Sequence, residues 1–354
     1  MKQALEPAQI QASTPTLEQV LTVVPSEDWN RTWPADKTNM LRMTSKKVRE
    51  KVDNIGLSIV VRFNMSLFDN NQNHIQIIQL ILNKLRNIPR LDSIVELALP
   101  NCVLNINEEI TKIITKSTAI QRLNINSNYI LDNIDKFANA IGNLQYLIYL
   151  NLGSITINSE NVEKLTKELS KCTKLQDLDI SQTYIDVIGI NHITGALPNW
   201  PFLTNLNLSR NIIKNEGLNS LTKASTFLTA LVSLDLSSTF IEGIEGAKSL
   251  GQLFLQCSTI TSLNLHNNSL EKKGSIYLAA FLSNQAMQSK INLKKLNISS
   301  NQIGFNGAKR FVILLNYLKL TLIDLRNNIN NQNEEQMLIE ALDKFPTVTY
   351  FINN

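Results

Sequence analysis

Apolar positions recur along this chain in blocks. Residues 203–213 read LTNLNLSRNII, with leucines at 203, 206 and 208, an asparagine at 211 and an isoleucine at 213. The same frame fits IVELALPNCVL from Ile94, IQRLNINSNYI from Ile120, LIYLNLGSITI from Leu147 and LQDLDISQTYI from Leu175. It continues with LVSLDLSSTFI from Leu231, ITSLNLHNNSL from Ile260, LKKLNISSNQI from Leu293 and LTLIDLRNNIN from Leu320. Successive starts lie 26 to 33 residues apart. Within a block the alternation has period two. Leu206 and Leu208 therefore share one face of a short strand, and Asn205, Asn207 and Ser209 share the other. Between blocks, LNSLTKASTFL (218–228), AKSLGQLFLQC (247–257) and AKRFVILLNYL (308–318) carry apolar residues at helical spacing, each after a glycine, Gly217, Gly246 or Gly307.

One strand–helix unit cannot bury its apolar face alone, so units repeated at this period must stack into a solenoid. Strands stack about 4.8 Å apart, whereas helix axes need about 8–10 Å. The helical side is then the longer, convex one, and the sheet lines a concave face.

The pattern LxxLxLxxN/CxL resembles the leucine-rich repeat, and the spacing near 28 with intervening helices resembles its ribonuclease-inhibitor-like subfamily. The resemblance covers roughly residues 94–354. It implies an α/β fold: a leucine-rich repeat horseshoe with a parallel sheet on the concave face, helices on the convex face and a small helical N-terminal region. Along the chain we expect a disordered tail at 1–16 and a helical segment at 17–56. A degenerate first unit follows at 57–93, with Val61, Phe63 and Phe68 in frame, then regular units at 94–347. A truncated last unit, 348–354, has Val348 in the frame of Leu320, Tyr350 outward and Phe351 inward.

Within the helical segment, MLRMTSKKVREKVD (40–53) carries Arg42, Lys46, Lys47, Arg49 and Lys51. It resembles the second half of an F-box, which implies a Skp-type adaptor as a partner through residues 17–53. The first half departs from that pattern, lacking the usual Leu-Pro opening, and a plain helical cap over the first repeat is the alternative.

At the asparagine position the chain leaves the strand, and buried backbone groups lose their ladder partners. An inward carboxamide, with two donors and an acceptor, can satisfy them. Its equivalents are Cys102, Asn128, Ile155, Thr183, Asn211, Thr239, Asn268, Asn301 and Asn328. Isoleucine cannot do this work, so a break with looser geometry or bound water is expected at Ile155.

Composition narrows the function classes. The 354 residues are 43% hydrophobic and 18% charged with net charge +4, enough apolar content for a core and too mild a charge for specific nucleic-acid binding. No stretch has membrane-spanning length, and the N-terminus has no signal-peptide core. The three cysteines, Cys102, Cys172 and Cys257, suit free thiols in a reducing, cytoplasmic setting. Cys172 and Cys257 share a frame position with Trp200, which reads as core filling. A composition rich in Asn, Ile and Lys, with this repeat type, is similar to leucine-rich-repeat effectors that bacteria deliver into host cells, which would place the chain in host cytoplasm.

Catalytic groupings are sparse. Of the three histidines, His74 and His192 fall in predicted helices, and His266 ends a strand on the outward face. A Ser237–His266–Asp235 set can be drawn, but serine and aspartate are repeat consensus there, and no nucleophile turn accompanies them. No Cys/His spacing suggests a metal and no glycine-rich loop suggests a cofactor. We therefore expect no catalytic residues and no cofactor.

What remains is a surface for a protein partner. Outward columns include Arg122, Tyr149, Asp177, Asn205 and Lys295 in the first, and Asp179 and Asp235 in the second. Departures from consensus are Arg122, Tyr149, Arg210, His266, Arg326 and Tyr350. Arginine and aromatic side chains are common interface hot spots. Along the rim, after the ladder position, stand Tyr129, Tyr184, Ile212 and Phe240. These form a docking edge or, alternatively, fold their rings over the core. Two function classes follow: a stand-alone protein binder, or the substrate receptor of a cullin ubiquitin ligase.

Overall fold

The computed structural model describes residues 59–62, 91–100, 108–128, 134–288 and 290–352. The tail, the F-box-like segment with its adaptor, His74, Cys102 and Tyr129 lie outside the described residues.

Eleven strands form one sheet: β1 Ile59–Arg62, β2 Ile94–Ala98, β3 Arg122–Asn124, β4 Tyr149–Asn151, β5 Asp177–Asp179, β6 Asn205–Asn207, β7 Ser233–Asp235, β8 Ser262–Asn264, β9 Lys295–Asn297, β10 Leu322–Asp324 and β11 Thr349–Phe351. All are parallel and lie in chain order. Among the described residues a helix follows each strand from β2 to β10. They are α1 Glu108–Lys116, α2 Ile134–Gly142, α3 Ser159–Leu169, α4 Val187–Ala196, α5 Lys214–Ala224, α6 Gly243–Gln256, α7 Glu271–Met287, α8 Gly304–Leu314 and α9 Gln332–Leu342. This is the expected leucine-rich repeat solenoid.

The core runs the length of the stack. Leu97, Leu123, Leu150, Leu178, Leu206, Leu234, Leu263, Leu296 and Ile323 occupy the middle of successive strands and are buried against the helices. Each such side chain contributes on the order of 2 kcal/mol, and only with its neighbours in place. Cys172, Trp200 and Cys257 fill equivalent buried sites, where each donates to a carbonyl of the preceding unit: Ile141 O at 3.3 Å, Leu169 O at 3.2 Å and Ser225 O at 3.3 Å.

The helices start earlier than the apolar pattern suggests, and the glycines sit inside the first turn. A Cβ on Gly217 would come within 2.8 Å of Ile190 in the preceding helix and of Ile213 beneath it. Glycine is therefore required by close helix–helix approach.

The asparagine ladder exists. Asn211 Nδ2 donates to Ile180 O (2.8 Å) and Leu208 O (3.0 Å), tying two units together. Asn128, Asn268, Asn301 and Asn328 donate in the same way to the carbonyl three residues before them. Thr183 and Thr239 use their hydroxyls on Ile180 O and Leu236 O. At the expected break, buried Ile155 has no polar side chain, and its own N–H takes over, donating to Leu152 O at 3.3 Å.

One expectation fails at the last strand. Leu322 pairs with Thr349, Ile323 with Tyr350 and Asp324 with Phe351, one residue away from the sequence frame. Because strand side chains alternate, a one-residue shift exchanges faces. Tyr350 is half-buried against the core, Phe351 is exposed on the outward face, and buried Ile352 takes the inward place at the strand end. The shift brings Tyr350 Oη within 2.5 Å of Asp343, to which it donates.

Candidate protein-binding surface

The strand register places the outward residues in straight files. The first file runs Glu96, Arg122, Tyr149, Asp177, Asn205, Ser233, Ser262, Lys295, Leu322, Thr349. Here the structure brings predicted residues together. The Arg122 guanidinium lies 4.1 Å from the centre of the Tyr149 ring, and its Nε is 3.9 Å from Glu96. Asn205 donates a short hydrogen bond to Asp177. Lys295 is exposed.

The second file has a structural task that explains its Asn/Asp content. Oδ1 of Asn124, Asn151, Asp179, Asn207, Asp235, Asn264, Asn297 and Asp324 each accepts the backbone N–H two residues on. These turns lead into a left-handed residue just before the ladder position, as at Gln182, Arg210 and Ser238 (φ 54 to 56°). Short polar side chains hold such turns well. Asp179 and Asp235 are thus engaged, and their second oxygens accept from Asn207 and Asn264 of the next strand.

In the third file the drawn triad does not assemble. Ser237 Oγ donates to Asp235 at 2.7 Å, while His266 turns to the opposite neighbour, with Nδ1 2.8 Å from Ser299 Oγ. Arg326 is held by its own Asp324 through Nη2 (2.6 Å) and Nε (3.0 Å), and its guanidinium stands 5.1 Å from the Phe351 ring centre. Those bonds to Asp324 raise the Arg326 pKa further above its usual value. Arg210, exposed on its turn, reaches Gln182 at 3.3 Å.

The rim residues split from the core. Tyr184 is 64% and Phe240 56% exposed, so neither ring folds over to shield the interior. Both have φ of 62°, a left-handed conformation that is costly for an aromatic residue. Exposed Ile188 and Ile244, at the starts of α4 and α6, extend this edge. Sequence reasoning missed them. Helical periodicity sets Ile244 three residues before buried Ala247, which reads as a core position. The opposite edge also shows aromatic side chains, Tyr146, Phe202 and Phe227, with the Lys174 ammonium 4.5 Å from the Tyr146 ring.

Burial pushes the thiols of Cys172 and Cys257 up to about 12 and about 11, far from a reactive range. Among the described residues, no three His, Cys, Asp or Glu side chains gather in a way that could hold a metal ion. None of the described helices is long and apolar enough to cross a membrane.

Among the described residues, parallel strands alternate with helices from β2 to β11, and Asn128, Asn211, Asn268, Asn301 and Asn328 form a ladder at the strand exits, which defines a leucine-rich-repeat protein. Residues 289–312, covering β9 and most of α8, match the leucine rich repeat family. A comparison with curated proteins found no match. Among solved structures, a chain described as leiomodin-1 actin-binding site 2 is similar over 46% of this chain and 92% of its own, with 18% identity and a TM-score of 0.38.

Proposed function

We propose that this chain is a protein-binding module whose partner lies on the outward face of the sheet and its rim. The observation that carries this reading is the Arg122–Tyr149 pair beside Glu96, an aromatic and an arginine ordered against each other on an open surface. Preordered side chains lose little entropy on binding, and these residue types dominate interface energetics. Ten strands in register, β2 to β11, give a face about 43 Å long at about 4.8 Å per strand, a scale suited to a folded partner or a long peptide. Asp177, Asn205, Arg210, His266, Lys295 and Arg326 line the same face. A delivered effector acting in host cytoplasm remains the setting suggested by the Asn/Ile/Lys-rich composition.

The test is affinity capture from native or host lysate with mass spectrometry, repeated with Tyr149→Ala/Arg210→Ala. Capture should fall at least tenfold while the circular-dichroism melt stays within about 2 °C of the parent. Undiminished capture would remove the outward face from the reading. The same capture with a chain lacking residues 1–53 separates the ligase-receptor alternative, which requires a Skp-type adaptor that is lost with that segment.

A further inference from the structure

Three consecutive rim turns, 184–188, 212–216 and 240–245, carry Tyr184, Ile188, Ile212, Phe240 and Ile244, all exposed. The apolar strip is bounded: the equivalent rim positions on either side are Thr156 and Ser269. Within these turns stand four carboxylates, Asp186, Glu216, Glu242 and Glu245, against one cation, Lys214; Glu245 is paired with Lys248 at 2.9 Å, and the other three still outnumber Lys214.

We propose that this strip binds an amphipathic helix of a partner protein, apolar on one face and flanked by Lys or Arg. The inference rests on the reading of the chain as a protein-binding module and specifies what one part of it binds. Three features select this occupant. First, each of the three units presents an exposed apolar residue just after its ladder position, Tyr184, Ile212 and Phe240, at steps between the strand spacing of about 4.8 Å and the helix spacing of about 8–10 Å. Side chains at i, i+4 and i+7 of a helix advance about 6 and 10.5 Å and can follow that row.

Second, an added strand is disfavoured, because the rim backbone is already committed. Ile212 N donates to Ile185 O, Ser269 N to Ile241 O, Gly243 N to Ser269 O and Lys214 N to Thr239 O. The amides of Ile185 and Ile241 are held by Asn211 and Asn268. A helix satisfies its own backbone and needs none of these groups. Third, the carboxylates framing the strip complement basic flanks and repel an acidic segment. The backbone at Tyr184 and Phe240 is also fixed by the amides on either side, so binding does not have to order the main chain there.

The test uses the full chain and a fluorescein-labelled 18-residue peptide with Leu at i, i+4, i+7 and i+11 and Lys and Ala elsewhere. Controls are a scrambled peptide of the same composition and a version with every Lys changed to Glu. We expect the basic amphipathic peptide to bind at least tenfold tighter than either control by anisotropy, and to slow amide exchange within 184–188, 212–216 and 240–245. Tyr184→Asn/Phe240→Asn, which suits a left-handed backbone, should cost at least tenfold. Tyr149→Ala, on the sheet face away from the strip, should leave peptide binding unchanged. Equal binding of the scrambled peptide, protection confined to the outward sheet face, or indifference to the rim variant overturns the inference. None of those results touches partner capture by the sheet face, which the Tyr149/Arg210 variant reads separately.

Discussion

Asn211 fixes the conformation of Tyr184, a residue of the unit before it. Its Oδ1 accepts the N–H of Thr183 at 3.1 Å and of Ile185 at 3.0 Å. The two amides flanking Tyr184 converge on that single oxygen around its left-handed backbone, φ 62°. Asn268 does the same to Phe240 through Thr239 and Ile241. The residue that looks most purely structural thus presents an aromatic ring to solvent one unit away.

Asn211→Ala should therefore have two effects. It leaves buried amides and carbonyls unpaired at about 1–3 kcal/mol each, so we expect a loss of about 3 kcal/mol or more in urea unfolding. It also frees Tyr184 to relax, which faster amide exchange at residues 183 and 185 would report. Thr183→Ala, which removes one hydroxyl bond to Ile180 O, should cost only about 1 kcal/mol. Equal losses in the two variants would contradict the clamp.

Two glycine-to-alanine changes should have opposite signs. At Gly195 in α4 nothing lies within 4 Å of a new Cβ, so Gly195→Ala should stabilise by about 0.5–1 kcal/mol through helix propensity and a less disordered unfolded chain. At Gly274 in α7 the Cβ would run into Gly243 O of the preceding unit. Overpacking then outweighs propensity, and Gly274→Ala should destabilise by about 1–3 kcal/mol. Thermal or urea unfolding of the pair decides.

The described thiols should be silent in the folded protein. In a Cys102→Ser background, Cys172 and Cys257 should resist Ellman's reagent at pH 8 and react fully once urea unfolds the chain. Their protons are held in the fold to about 12 and about 11, against a reference of 9.0. The unfolded chain therefore releases protons first, and stability should fall as pH rises from 9.0 through those values. Rapid labelling of either native thiol would show that its site opens.

The tautomer of His266 follows from its neighbours. Asn297 Oδ1 accepts the Ser299 N–H at 3.0 Å, so it is the acceptor atom, and the Ser299 hydroxyl donates to it at 2.7 Å. With its one proton spent, Ser299 Oγ can only accept from His266 Nδ1. In neutral imidazole the lone pair then lies on Nε2, available to a donor on a partner. Long-range 1H–15N NMR at pH 8 should show protonated Nδ1, and Ser299→Ala should shift the ring toward the Nε2–H form. An Nε2–H signal in the parent protein would reverse this assignment.

The sequence by itself determined the repeat, the inward leucines, the ladder positions and the files of outward residues from β2 to β10. Each depends on period-two and period-28 spacing, which any stacked strand–helix unit must obey. It also located Tyr184 and Phe240 on the rim, without telling whether their rings face water. Tertiary structure decided that, because the left-handed turn at Tyr184 is set by a carboxamide 27 residues away. It likewise decided the last strand. VTYF pairs equally well with β10 in two registers by pattern, and only packing of Tyr350 on the core and Phe351 beneath Arg326 selects one. Which charges are engaged and which stay open was also a tertiary matter. The pairing of Arg122 with Tyr149, Arg326 with Asp324, and His266 with Ser299 rather than Ser237 depends on side-chain reach across strands, and residue spacing along the chain carries no record of it.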